Sequence, residues 1–500
     1  MKLRDYQKPV VKAVSQAFIE NQTRVLMQMP TGAGKTASAA FIVEKHASTA
    51  RQVLWLVHRE ELLFQASMTF AGMGVHHRMI CAAQSERKTK VAQFKEYGRS
   101  YITDTAHVVV CSVQTLIRRL DKTPWLAPSL IIADEAHLSL NSTFRTIIGN
   151  YPDARLIGLT ATPCRSDNQG FHVDQGGLYE TMVCGPQTYE LMDLGQLASY
   201  EVFKPPIPLE NIKKRTKGGD WDAKDLEAEF KSSVVFGSVV DHYRKFAHKL
   251  PAIGFCPTVS IAQKFTEQFI KAGYNFKMLD GNTLSSERWQ MLKDLAAGDI
   301  DGVMSVGILI EGTDIPLATV GLMLTRTKSL RVYLQSVGRL LRPHPKKERA
   351  IIMDFVGLLE QHGYPDDHRV WSLYAPPKRR RRPSEDEDDT EYNDGVQTCP
   401  ECYRAHKPAE ICPHCGHIYS ADPKKREVLE VQGELIRVTR EEKQREHELK
   451  AEAHKTRRIE ESQCRSLEDW IALAKQRGYK FPRQWAERRY RLRVQRRGEV

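Results

Sequence analysis

Short apolar runs recur along the first part of the chain, each separated from the next by a longer stretch of helical character. Between Val25 and about Val183 they are Val25-Leu26-Met27, Val53-Leu54-Trp55-Leu56-Val57, Val108-Val109-Val110, Leu130-Ile131-Ile132 and Leu156-Ile157-Gly158-Leu159. Continuous apolar runs of this length, bounded by helical stretches, predict buried strands of a parallel sheet built from βαβ units. A second series follows at Ala252-Ile253-Gly254-Phe255, Lys277-Met278-Leu279, Gly302-Val303-Met304-Ser305, Val320-Gly321-Leu322-Met323-Leu324 and Ala350-Ile351-Ile352-Met353. The pattern therefore predicts two α/β lobes, over 1–200 and 232–375. A polar connection over 201–231, containing Lys213-Lys214-Arg215 and Gly218-Gly219, would join them and leave a crevice between.

The apolar pattern stops near residue 375. Lys378-Arg379-Arg380-Arg381-Arg382 and then Glu385-Asp386-Glu387-Asp388-Asp389 form opposite charge blocks with almost no apolar content. Such a segment has too little to bury, so 376–396 reads as a disordered linker, with a nuclear-import signal as the competing reading. Beyond a cysteine cluster at 397–420, the stretch 421–500 reads as a basic, largely helical tail.

The chain has 500 residues, enough for about three or four domains, and its 41% hydrophobic content suffices for large cores. Its net charge of +12 suits either a polyanionic partner or a solubilising surface. Crowding of Arg477, Lys480, Arg483, Arg488, Arg489, Arg491, Arg493, Arg496 and Arg497 at one end favours the first, with nucleic acid the leading candidate. Lys2, Arg4, Asp5 and Lys8 interrupt any signal sequence, and no apolar run approaches the roughly 20 residues of a membrane span. An intracellular, cytoplasmic protein is expected, and the six scattered cysteines (81, 111, 164, 184, 256, 464) read as reduced thiols.

Candidate chemistry begins directly after the first strand. In Pro30-Thr31-Gly32-Ala33-Gly34-Lys35-Thr36, backbone N–H groups of Thr31 to Thr36 can wrap phosphate oxygens, and Gly32 and Gly34 allow the close approach. Lys35 would reach the β- and γ-phosphates of a nucleotide, and Thr36 would place its hydroxyl on Mg²⁺. Met29 stands where the general phosphate-loop pattern has glycine, so the loop alone would also fit a structural turn. About a hundred residues later, the strand Leu130-Ile131-Ile132-Ala133 delivers Asp134-Glu135-Ala136-His137 at its C-terminal end, where open α/β sheets bind ligands. Asp134 suits Mg²⁺ and Glu135 suits a water attacking the γ-phosphate; the competing reading is an acidic helix cap.

Cys399-Pro400-Glu401-Cys402 and Cys412-Pro413-His414-Cys415-Gly416 present two C-x-x-C knuckles nine residues apart. Four thiolates suit tetrahedral Zn²⁺ of structural type, since no coordination position is left open. His406, His414 or His417 could substitute as ligands, and a redox pair is the competing reading.

Across residues 3 to 355 the motifs together resemble superfamily-2 helicases. Leu3-Arg4-Asp5-Tyr6-Gln7 resembles the segment that reads adenine, which implies a base-binding role for Gln7 with Arg4 beside it. Val57-His58-Arg59-Glu60-Glu61-Leu62 and Ser112-Val113-Gln114-Thr115-Leu116 resemble strand-contacting motifs, and Thr160-Ala161-Thr162-Pro163 the motif that links hydrolysis to lobe movement. Gly307 with Ile310-Glu311-Gly312-Thr313-Asp314-Ile315-Pro316 resembles motif V, which places Gly312 and Asp314 at the nucleotide. Gln335-Ser336-Val337-Gly338-Arg339-Leu340-Leu341-Arg342-Pro343 resembles motif VI and makes Gln335, Arg339 and Arg342 catalytic candidates. The two arginines lie three apart and share a helix face, from which one would act as an arginine finger.

The resemblance implies two RecA-like lobes, ATP and Mg²⁺ at the cleft, and movement along a nucleic acid. Motif VI lacks the His-Arg-x-Gly-Arg-x-Gly-Arg form of DEAD-box RNA helicases, which favours single-stranded or branched DNA over RNA. The spacing of Leu279-Asp280-Gly281, Glu287-Arg288 and the later motifs is most similar to RadD-type repair helicases, and more distantly to XPB helicases and type I restriction motor subunits. The zinc ribbon and tail would contact DNA or dock repair and replication proteins. A nucleotide-gated DNA-binding protein with little strand separation is the competing class, and RNA remodelling a third reading.

Overall fold

The computed structural model describes residues 3–165, 169–204, 234–236, 238–307, 317–327 and 329–375, and beyond these 397–398, 405–406, 429–431, 435–438, 442, 464, 466–476, 483, 486–487 and 490. Each apolar run named above forms a strand. The first sheet comprises β1 (Arg24–Gln28), β2 (Val53–Val57), β3 (His77–Ile80), β4 (Val108–Ser112), β5 (Leu130–Asp134), β6 (Arg155–Thr160) and β7 (Thr181–Cys184). Their order is β3-β4-β2-β5-β6-β1-β7, and every neighbouring pair is parallel. Every residue of β2 and of β5 is buried. Helices covering both faces of a parallel sheet produce this, and it explains why those strands are unbroken apolar runs rather than alternating ones.

The second sheet runs β11 (Phe276–Leu279), β12 (Gly302–Ser305), β10 (Ala252–Phe255), β13 (Val320–Met323), β14 (Ala350–Asp354) and β8 (Tyr200–Lys204). The last of these corrects the expected boundary. Residues 201–204 do not belong to a connection: β8 pairs in parallel with β14, Tyr200 opposite Ala350 and Phe203 opposite Met353. The chain therefore enters the second lobe before the polar segment. A short strand, β9 (Val234–Phe236), lies outside this sheet and pairs in parallel with Leu429–Val431.

The two lobes are tied a second time by the chain that follows β14. Leu373 is buried in the core of the first lobe, beside Phe171 and Tyr179, and its carbonyl accepts from Phe171 N at 2.6 Å and His172 N at 3.1 Å. Gln187 of the first lobe clasps Arg369, its Nε2 donating to the Arg369 carbonyl at 3.1 Å and its Oε1 accepting from Arg369 N at 3.2 Å. The Arg369 guanidinium donates in turn to the carbonyls of His362, Tyr364, Pro365 and Asp367, which stiffens the strap.

The C-terminal residues from Arg437 form a separate compact unit. It contains a helix, Leu467–Gln476, whose Trp470 and Leu473 pack with Cys464 and Ala486 in a small core. The polar segment 205–231, the charged linker 376–396, Gly312 and Asp314, Cys399, Cys402, Cys412 and Cys415, and most of the tail arginines lie outside the described residues. Among the described residues, no helix is long and apolar enough to cross a membrane, and Cys81, Cys111, Cys164, Cys184 and Cys256 are free thiols.

Candidate nucleotide-binding site

The phosphate loop starts from a strand that is longer than the sequence pattern indicates. Met29 N donates to Thr160 O at 3.0 Å, continuing the sheet by one residue, and the Met29 side chain is fully buried. A Cβ built at Gly185 would come within 2.8 Å of Met29 Cγ, so the methionine packs into the space that this glycine leaves. Met29 does not have a positive φ, and the position therefore does not demand glycine. The glycines that the loop does require are Gly32 at φ +86° and Gly34 at φ +79°, both in the left-handed region. Gly34 forms the N-cap of the helix Lys35–Ala47, which aims the helix N-terminus at the loop.

Gln7 braces this loop from the first helix, Gln7–Ile19. Its Nε2 donates to Ala33 O at 3.1 Å, its Oε1 accepts from Arg4 N at 2.9 Å, and Tyr6 Oη donates to Ala33 O at 3.1 Å. A Cβ on Gly34 would lie 2.4 Å from Gln7 Nε2, so side-chain approach and loop conformation both depend on that glycine.

Asp134 and Glu135 leave the end of β5 as neighbours, 5% and 8% exposed. Glu135 has φ +53°, a conformation that costs a non-glycine residue on the order of 1 kcal/mol or more and clusters at functional sites. Asp134 Oδ1 accepts from Glu135 N at 3.0 Å. Burial, and next the Glu135 charge, push the Asp134 carboxyl up to about 7, against the pull of Lys35. Burial likewise holds the Lys35 ammonium below its ordinary value, opposed by Glu135 and Asp134 and assisted by Arg339 and Arg342. A buried carboxyl such as that of Asp134, whose charge is disfavoured until a cation arrives, suits Mg²⁺ chemically. Thr36 stands in the first turn of the adjoining helix. Among the described residues, no group of three or more His, Cys, Asp or Glu side chains could hold a metal.

The second lobe contributes one helix, Leu330–Leu340, started by Ser329, whose hydroxyl accepts from Val332 N at 3.4 Å. Residues 331, 335, 338 and 342 recur at helical spacing, and all four face the first lobe. Gln335 Nε2 donates to Glu135 Oε2 at 3.4 Å. At Gly338 a Cβ would sit 2.5 Å from Thr31 Cβ, and one on Gly32 would sit 3.8 Å from Arg342 Cγ. Arg331 NH1 lies 3.3 Å from His137 Nε2. Arg339 is buried, and burial pushes the Arg342 guanidinium down to about 10. Both arginines are near enough to depress Lys35, which places Lys35, Asp134, Glu135, Gln335, Arg339 and Arg342 around one volume. Beside it, Arg369 and Trp371 of the strap join Thr31, Ala161 and Gly338 in lining a narrow cleft.

The remaining motifs border this volume or lie across the seam. Gln28 Nε2 donates to Ala161 O at 2.9 Å, and Thr160 Oγ1 donates to Thr162 O at 3.0 Å, fixing the turn after β6. Gln114 Nε2 donates to His58 O at 2.9 Å, joining the two strand-contacting segments. The lobes also meet there through an Arg288–Glu61 ion pair and an edge-on contact of Phe64 with Trp289, 6.0 Å between centroids. Arg331 and Trp289 are interface residues that the motifs did not single out as such. The signal available for Arg331 was its place four residues before Gln335 on a helix.

Comparison with known proteins agrees with this arrangement. Residues 1–165 match the family described as Type III restriction enzyme, res subunit, and residues 238–344 match the Helicase conserved C-terminal domain. A 51.5 kDa protein of a Lactococcus phage is 28% identical over 413 residues, 82% of this chain and 82% of the relative. The putative ATP-dependent helicase IRC3 of Saccharomyces cerevisiae is 26% identical over 375 residues, 71% of this chain but 51% of the yeast protein, so the chain spans about half of that relative. Among solved structures, a fragment of a putative HsdR subunit of a type I restriction enzyme from Vibrio vulnificus has a TM-score of 0.50 at 19% identity, over 73% of this chain and 67% of that one, a likeness of fold.

Proposed function

This chain belongs to the superfamily-2 helicases, and we propose that it hydrolyses ATP at the interlobe cleft in order to move along or remodel DNA. The observation that carries the reading is the Gln335–Glu135 contact, which joins a second-lobe helix to the carboxylate that serves as general base in the first lobe. ATP sits with its phosphates on the backbone of Thr31 to Thr36 and on Lys35, with Arg4 and Gln7 on the base, and Gly312 and Asp314 close to the triphosphate. Bound Mg²⁺, held by Thr36 and Asp134, would neutralise the β- and γ-oxygens. Glu135 takes the proton of the attacking water. Gln335 orients that carboxylate, and Arg339 or Arg342 meets the charge that develops on the γ-phosphate. An arginine supplied this way is worth about 10³ to 10⁵ in rate, so hydrolysis follows closure of the lobes.

DNA is supported by the restriction-subunit family matched over the first lobe and by the departure of motif VI from the RNA-helicase form. Repair, recombination or replication is the setting proposed. Cys399, Cys402, Cys412 and Cys415 complete the reading as a structural Zn²⁺ site that serves DNA contact or protein docking; purified chain without zinc by elemental analysis would remove that part. A binding protein with little unwinding remains the second class, and polynucleotide dependence separates the two.

The test is steady-state ATP hydrolysis by the full chain with no nucleic acid, single-stranded DNA, branched DNA and RNA, with Lys35→Ala as control. We expect DNA to stimulate the wild type at least tenfold and Lys35→Ala to be inactive throughout. No stimulation by any polynucleotide refutes the motor reading.

A further inference from the structure

The Glu135 carboxylate is approached by two side chains on the same oxygen. Gln335 Nε2 donates to Oε2 at 3.4 Å, and His137 Nδ1 lies 3.4 Å from that same Oε2. His137 is itself buried, on the short 3₁₀ turn Ala136–Leu138 that follows Glu135. Its other nitrogen, Nε2, lies 3.3 Å from Arg331 NH1. A guanidinium has donors only and stays charged. Next to it, Nε2 of the imidazole must be the acceptor, and the ring proton then resides on Nδ1, the atom that faces Glu135.

Arg331 is not part of the motif VI run that begins at Gln335, yet it lies one helical turn before it, on the face that meets the first lobe. The same helix thus reaches Glu135 twice: directly through Gln335, and through His137 from Arg331. Neither route exists unless the lobes are together. The left-handed backbone at Glu135 leaves its side chain to be located by these neighbours rather than by a regular helix or strand. With Oε2 engaged, Oε1 is the oxygen left to polarise a water.

We propose that Arg331 is a positioning residue for ATP hydrolysis, which holds His137 in its Nδ1-protonated tautomer and through it orients the Glu135 carboxylate on lobe closure. The inference rests on the ATPase reading above. It assigns to a residue outside the recognised motifs the task of reporting closure to the general base. Arg331 touches no reacting atom in this scheme, so its loss changes turnover and leaves nucleotide and polynucleotide binding intact.

The experiment uses the full chain as wild type, Arg331→Ala, Arg331→Lys, His137→Ala and the Arg331→Ala/His137→Ala double variant. Kinetics with saturating single-stranded DNA give kcat and KM for ATP, and fluorescence titration gives the Kd for a labelled oligonucleotide. Arg331→Ala should lower kcat at least tenfold, with KM and Kd within about twofold of wild type. Arg331→Lys, which keeps a donor, should recover part of the loss. Because the route runs in series, the double variant should be no slower than His137→Ala, the non-additivity expected of residues acting as one unit. Additive losses, or a Kd raised in step with the loss of kcat, overturn the proposal.

A second readout does not depend on activity. Imidazole ¹⁵N shifts of His137, assigned by difference against His137→Ala, should report Nδ1-protonation in wild type, a changed tautomer balance in Arg331→Ala and an intermediate balance in Arg331→Lys. An unchanged tautomer overturns the proposal even if ATP hydrolysis proceeds. The expected tautomer in a chain without DNA-stimulated ATPase would leave the geometry standing and dismiss the motor reading instead.

Discussion

Gly338 lies in the helix that docks on the phosphate loop, at the one position where a methyl group would strike Thr31, 2.5 Å from its Cβ. Its substitution separates closure from folding. Alanine favours a helix interior by roughly 1 kcal/mol over glycine, so Gly338→Ala should leave the melting temperature unchanged or raised. The same methyl should hold the lobes apart and cut DNA-stimulated ATP hydrolysis at least a hundredfold, with ATP binding to the loop retained. Full activity in a well-folded Gly338→Ala chain would show that the helix does not approach Thr31 during turnover. Residues such as Lys35, Glu135 and Arg339 were legible in the sequence because their chemistry is scarce and their spacing fixed. Arg331 was not, because one more arginine in a basic chain carries no signal until a helix face and a partner are known. Met29 reads as an imperfect loop residue, whereas it is a buried end of the first strand that needs no glycine.

At the scale of elements, the apolar runs found most strands of the two sheets and missed β3, β7 and β8. Central strands are covered on both faces and are written as continuous apolar runs, while edge strands lack one neighbour and carry polar residues. β3 begins His77-Arg78 and is held by a buried polar network rather than by an apolar run. His77 Nε2 lies 2.6 Å from Ser67 Oγ, His77 Nδ1 lies 3.1 Å from Val75 O, and Gln93 Nε2 donates to Ser67 Oγ at 3.0 Å. β8 was hidden by distance: it precedes its partner β14 by about 150 residues and borders the polar segment. The network also dictates a pH response. Burial holds His77 down at about 4 against an ordinary 6.5, so the folded ring stays neutral while the unfolded one takes a proton. The stability is complete above pH 6.5 and is lost as pH falls towards 4, by about 3 kcal/mol for a shift of this size. The protection factors of the β3 and β4 amides, exchange rates corrected for intrinsic pH dependence, should therefore fall across that window in wild type. His77→Gln, with nothing to titrate there, should show a flatter dependence, and equal slopes in the two proteins would exclude His77 as the cause.

At the scale of the molecule, two lobes of similar architecture are joined twice, once through the chain that leads into β8 and once through the strap that buries Leu373 in the first lobe. Neither lobe alone holds a complete site: the first carries Lys35, Asp134 and Glu135, the second Gln335, Arg339 and Arg342. The two-lobed plan was legible from periodicity. The double connection was not, because Arg369 and Leu373 become informative only once their partners Gln187 and Phe171 are in place. In the proposed function, the first lobe binds ATP and the second decides when it is hydrolysed. Its most direct measurement is single-turnover hydrolysis beside equilibrium ATP binding, for wild type and Arg339→Ala in the presence of saturating single-stranded DNA. The split site predicts ATP binding within about threefold of wild type and hydrolysis slower by about 10³ or more; hydrolysis within tenfold of wild type would contradict it.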